Sequence, residues 1–203
     1  MNIAHIKQTG RNVTKKPANR ARTARGFSVV ELVVVLCIIL VLSAIAIPSL
    51  QSSMRTYRIG SAASSFSALL QRARFEAIRR NTPITVRTQV VGGDTVVYID
   101  LKGNNAFDPT DPAVTQTSDI QFVAGGGSVP DPSTTGYPAA VSPPGSITFG
   151  VRGTVNYPGA QTDYISYLGN PAGPNLFYGA VTVSQMGQIK AWTAPAGGSW
   201  SMR

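Results

Sequence analysis

With 203 residues, 43% of them hydrophobic, the chain can supply one domain with an ordinary core plus an anchoring segment. Its only histidine is His5 and its only cysteine Cys37, which excludes an internal disulfide, a Cys/His zinc cluster and a histidine-activated nucleophile in the folded part; nothing supports an enzyme or a cofactor. The net charge of +9 is uneven. Seven cations fall in residues 1–26 with no acid, six arginines face Glu76 alone in 51–80, and 81–203 hold five cations against seven aspartates, so the charge is weak evidence for a nucleic-acid surface.

The basic stretch 1–26 runs into FSVVELVVVLCIILVLSAIAI, Phe27 to Ile47, broken only by Ser28, Glu31 and Ser43. As a helix this run is about 31 Å long, enough to cross the hydrocarbon layer of a membrane. The positive-inside rule places 1–26 in the cytoplasm and the rest of the chain outside. Two plainer readings compete: an uncleaved signal anchor, and a secretory signal removed after Ala44-Ile45-Ala46. The length of the run and the acid near its start weigh against the second. A charged side chain at the bilayer centre costs roughly 2.5–3.5 kcal/mol, less near an end, so Glu31 calls for a partner or a purpose. A cut between Gly26 and Phe27 would create an α-ammonium four residues before that carboxylate, a counter-charge for it on this chain or a neighbouring one. The alternative is an acid that snorkels to the interface.

Arg25-Gly26-Phe27-Ser28-Val29-Val30-Glu31-Leu32 resembles the class III signal of type IV prepilins and pseudopilins. The resemblance implies cleavage after Gly26 by a prepilin peptidase, N-methylation of Phe27, and a role for Glu31 in docking the subunit among other pilin or pseudopilin subunits of a helical filament. It implies a single-pass protein of the bacterial inner membrane, with a cytoplasmic N-terminus and a periplasmic head. Pro48 matches a position where pilin helices bend or loosen. The expected organisation is a leader over 1–26, a membrane and filament-core helix over 27–48, an amphipathic helix over 49–82 and a β-rich head over 83–203.

Beyond Pro48, Ile59, Ala63, Phe66, Leu70, Ala73 and Ala77 recur at steps of four and three, one narrow stripe that predicts packing on a β-layer. Arg72, Glu76 and Arg79 lie opposite, at spacings that let Glu76 pair with both arginines. Asn81-Thr82-Pro83 ends the helix. The segment Ala73-Arg74-Phe75-Glu76-Ala77-Ile78-Arg79-Arg80-Asn81 leading into Ile84-Thr85-Val86 resembles the helix-to-strand signature of GspH/FimT-type minor pseudopilins, with Phe75 as a departure. That family implies a structural subunit of a type II secretion pseudopilus or type IV pilus.

Residues 83–91 and 94–101 alternate around Gly92-Gly93-Asp94 as a β-hairpin. The stretch 102–145, with seven prolines and a triple glycine, reads as a long irregular loop. Its Asn104, Asn105, Asp108 and Asp111 could offer oxygens to calcium, but EF-hand spacing is missing and Asp-Pro turn chemistry accounts for them better. Strands return at 146–155, 164–168, 176–184 and 188–192, and the expected fold is α+β, an antiparallel sheet on the second half of the helix. Phe149, Tyr157, Tyr164, Tyr167, Phe177, Tyr178 and Trp192 are expected to fill or rim that sheet rather than stack on nucleic-acid bases. Some FimT-like proteins are DNA receptors in natural transformation and carry a G-R-x-R motif. The counterpart here is Gly187-Gln188-Ile189-Lys190, in which a neutral glutamine and a lysine replace the arginines, so DNA contact through Lys190 or Arg203 is possible but disfavoured.

Overall fold

The computed structural model describes residues 26–116, 119–123, 129–131, 146–156, 163–170 and 177–203. Two compact units partition the chain, Met1–Ala44 and Ile45–Arg203, and the first helix, α1 (Val29–Arg80), contributes to both. The expected leader lies outside the described residues except for Gly26.

In the first unit α1 is apolar and exposed. Its most apolar 18-residue window has a mean hydropathy of 3.1 and none of it is buried, so the helix is long and apolar enough to cross a membrane. The helix runs unbroken through Pro48, although a proline there denies the Ala44 carbonyl its usual donor. Just beyond, the hydroxyls of Ser52 and Ser53 donate to the Ser49 carbonyl, at 2.8 and 3.1 Å, and Thr56 donates to Ser52 at 3.0 Å. Such back-bonding lets small polar residues persist in helix interiors.

The second unit is the α+β head. Strands β1 (Ile84–Val91), β2 (Asp94–Asp100), β3 (Ala113–Gln116), β5 (Ser146–Phe149) and β6 (Val155–Asn156) form one antiparallel sheet in the order β3-β2-β1-β5-β6. Strands β4 (Gln121–Val123), β7 (Asp163–Gly169), β8 (Phe177–Ser184), β9 (Ile189–Pro195) and β10 (Ser201–Met202) form a second, in the order β10-β9-β8-β7-β4. The single sheet expected from sequence is therefore two. Hydrophobic alternation identifies strands and says nothing of which edges meet.

Both sheets bury their inner faces against the predicted stripe. Ile59, Ala63, Phe66, Leu70, Ala73 and Ala77 are all buried, with Val86, Val97 and Ile99 from the first sheet and Leu168, Val181 and Val183 from the second in the same cluster. Gly179 on β8 permits the closest approach, since a Cβ there would sit 3.2 Å from both Ile59 Cγ2 and Ala63 Cβ. The β1–β2 hairpin turns on Gly92 and Gly93 as its two loop residues, both with positive φ, as a twist-matched two-residue turn requires.

Two further expectations need correction. The stretch 102–145 is partly structured: it supplies β3 and β4, buries Ile120 and packs the Phe122 ring edge-on against Phe66 at 5.3 Å. Each strand is only three or four residues long, too short for alternation to stand out among prolines. Glu76 binds Arg79 (2.7 Å) and Arg80 (2.9 Å) rather than Arg72. An acid placed before its cation along a helix pairs better than one placed after it, which favours Arg80 over Arg72. These two arginines hold the Glu76 carboxyl below its usual range.

Candidate functional site

At the N-terminus, Gly26 and Phe27 precede α1 and Phe27 is 77% exposed. Ser28 accepts the Leu32 N–H at 3.1 Å, which closes the first turn and places Glu31 within it. Free N–H groups and the helix dipole favour an acid at this position. The Ser28-Val29-Val30-Glu31 spacing is that of a capping box, a sequence signal for a helix start at this point.

The other candidate residues lie in the head and do not converge. Lys190 shares a face of β9 with Trp192, its ammonium 5.9 Å from the indole centroid, and Trp192 Nε1 donates to Thr182 Oγ1 at 2.9 Å. This is the face turned away from the helix, where Ile165, Tyr167, Tyr178 and Trp200 form a second cluster. Arg203 lies on the opposite side: its backbone N–H donates to Ala191 at 3.0 Å, while its guanidinium lies over Gly60 and donates to Ser64 Oγ at 3.4 Å. Lys190 and Arg203 therefore do not form a single phosphate-binding patch. Gly187, the motif's glycine, sits in the tight β8–β9 turn with φ +74°.

Of the aromatics assigned to the sheet, Phe149, Tyr164, Tyr167, Tyr178 and Trp192 are buried and Phe177 is half-buried, while Tyr157 lies outside the described residues. Burial raises the Tyr167 hydroxyl to about 12, with a contribution from the Asp131 charge. Trp200, absent from the sequence-based set, stacks near Tyr167 at 5.8 Å and donates from Nε1 to the Pro130 carbonyl at 3.2 Å.

The acidic loop is self-satisfied. Burial works against the Asp100 carboxylate, but N–H groups of Asn105, Gly103 and Asn104 at 2.6–3.2 Å, with Arg87 at 3.3 Å, outweigh it and lower its pKa. Asp108 binds Lys102 and Thr110, which pull its pKa down strongly, and Asp111 accepts the Asp108 N–H at 3.1 Å. Among the described residues no group of three or more His, Cys, Asp or Glu side chains could hold a metal.

Sequence reasoning also missed Arg74. Its Nε donates to the Gly153 carbonyl at 3.0 Å and its Nη2 approaches that of Met186 at 3.4 Å, so it ties α1 to turns of both sheets.

A family model described as type II transport protein GspH matches residues 62–187. The pilin-like protein PilA1 of Thermus thermophilus is 36% identical over 88 residues, 43% of this chain and 55% of that relative. The chain thus matches about half of the relative's length. No solved structure matches.

Proposed function

This chain belongs to the family of type II transport protein GspH, and from that premise we propose that it is a minor pilin-like subunit of a type II secretion pseudopilus or type IV pilus. The observation that carries this reading is the division of α1. Its first part is apolar, exposed and led by an acid, while its second part builds the core of the head. A helix with those two surfaces suits an anchor that holds the subunit in the membrane before assembly and packs among neighbouring helices afterwards. The family and the apolar helix together support membrane anchoring. The inner-membrane location, the cytoplasmic N-terminus and the periplasmic head belong to the proposal, as do cleavage by a prepilin peptidase after Gly26 and methylation of Phe27.

Intact-mass and N-terminal peptide analysis of the membrane-extracted protein tests the proposal. A chain beginning with methylated Phe27 and retaining residues 27–47 is expected, and Gly26→Leu should leave the precursor uncut. An N-terminus at Ile47 would replace the pilin reading with an exported protein. The alternative, a DNA receptor, draws less support, because Lys190 and Arg203 stand on opposite faces of the second sheet.

A further inference from the structure

A groove of about 450 Å³ lies in the head, walled by Tyr57, Ser61 and Ser65 of α1 and by Val114, Gln116 and Ile120. One wall is the edge of a sheet. β3 ends the first sheet, and among the described residues no strand pairs its outer side. The Ile99 N–H donates to Pro112 at 2.9 Å, so that pair is a hydrogen-bonded one. Alternation along an antiparallel ladder then points Val114 and Gln116 at β2 and turns the N–H and C=O of Ala113 and Thr115 outward. Thr115 lines the groove and is exposed.

Within the wall, Gln116 is only 2% exposed and its Nε2 has no hydrogen-bond partner among the described residues. Buried amide donors without acceptors are rare because they forfeit their hydration, so this one calls for an acceptor from outside the chain. Charge narrows the choice. Arg58 and Asp119 pair at 2.9 Å where the groove meets a smaller recess. Arg55 borders the same recess and has no ion-pair partner among the described residues, leaving one positive charge in excess.

We propose that this groove binds an extended, acidic peptide segment of a neighbouring subunit, which adds to β3 as a further strand. Thr115 supplies the backbone donor and acceptor, a carbonyl of the incoming segment accepts from Gln116 Nε2, and its carboxylate meets Arg55. Strand addition to an open edge gives affinity through the backbone, and the groove and its charge give selectivity. The choice of a subunit as the source rests on the assembly reading above.

The test uses the full chain, ¹⁵N-labelled in detergent micelles and titrated with a synthetic peptide alternating valine and threonine and ending in aspartate. Shifts are expected at the Thr115 backbone amide and the Gln116 side-chain amide. Replacing the terminal aspartate by lysine should weaken binding roughly tenfold. Thr115→Pro should abolish it, since it removes an outward donor while leaving the bonds to β2 in place. Arg55→Glu, on an exposed helix surface, keeps the fold and should reverse the preference between the two peptides. Silence at Thr115 and Gln116, or equal binding of both peptides to both Arg55 forms, overturns the site. A photo-crosslinker at Ser61, in the full chain in native membranes, reads the source. Adducts mapped to an extended acidic segment of another pilin-like subunit are expected, and adducts to exported protein or lipid alone overturn that source. Failure of the assembly reading would appear instead as loss of co-purification with other subunits, with the peptide titration unchanged.

Discussion

Glu31 is placed to answer two demands at once, a helix N-terminus that favours an anion and an apolar segment that penalises one. Glu31→Val should therefore insert into membranes at least as well as the parent, yet enter filaments poorly. Co-purification of cleaved mutant protein with other pilin subunits at parental levels would sink an assembly role. The glycines separate backbone strain from crowding. Gly187 and Gly197 share positive φ, but a Cβ on Gly187 would lie 2.0 Å from the Gly153 carbonyl, whereas Gly197 faces open space. Gly197→Ala should cost about 1 kcal/mol for the left-handed backbone, and Gly187→Ala roughly 3 kcal/mol or more, as read by thermal unfolding of the full chain. Asp100 sets an acid limit. Its pKa is lowered in the fold, so its contribution is complete above the unfolded value of 3.8 and is lost as pH falls through the still lower folded value. Unfolding in acid should sharpen below that point, and Asp100→Ala should be less stable at neutral pH and lose that part of the pH dependence.

The stripe on α1 was legible because six residues recurring at steps of four and three define one face, and any layer that buries them must lie on it. Phe66 anchors that face and touches Phe122 of the short β4. Phe66→Ala should destabilise the head by about 3–5 kcal/mol, measured by denaturant unfolding, and should speed hydrogen exchange at the β4 amides relative to the parent. The hairpin turning on Gly92 and Gly93 was equally plain, since local turn chemistry and alternation agree. β3 and β4 were not, because strands of four and three residues carry no periodic signal and are held by partners distant in sequence. Arg74 belongs with them. Its place on the helix was readable, but the two carbonyls it meets lie 79 and 112 residues away.

Charge over the β-rich part of the head argues for a scaffold more than for a nucleic-acid receptor, while the α1 part of the head adds six arginines against Glu76. Residues 81–203 carry five cations against seven aspartates, and the two basic residues nearest the C-terminus face opposite ways. Phosphate affinity comes from released counterions and needs several cations on one surface. A soluble fragment from about residue 51, free of the seven cations of 1–26, should bind labelled duplex with a dissociation constant on the order of 10⁻⁴–10⁻⁶ M at physiological salt, weakening steeply as salt rises. Submicromolar anisotropy binding that falls with Lys190→Ala or Arg203→Ala would promote the receptor reading.

Residue order alone established the apolar run with its early acid, the buried stripe of α1, the first hairpin and the α+β class, because each rests on local periodicity or on neighbours a few positions apart. Tertiary structure alone decided that the head has two sheets, that part of 102–145 forms an edge strand of each, that Lys190 and Arg203 separate, and that Gln116 finds no acceptor among the described residues beside the unpaired edge of β3. Those features depend on which distant edges meet, and the free energy that selects among them is collective burial around α1, which no short window of sequence contains.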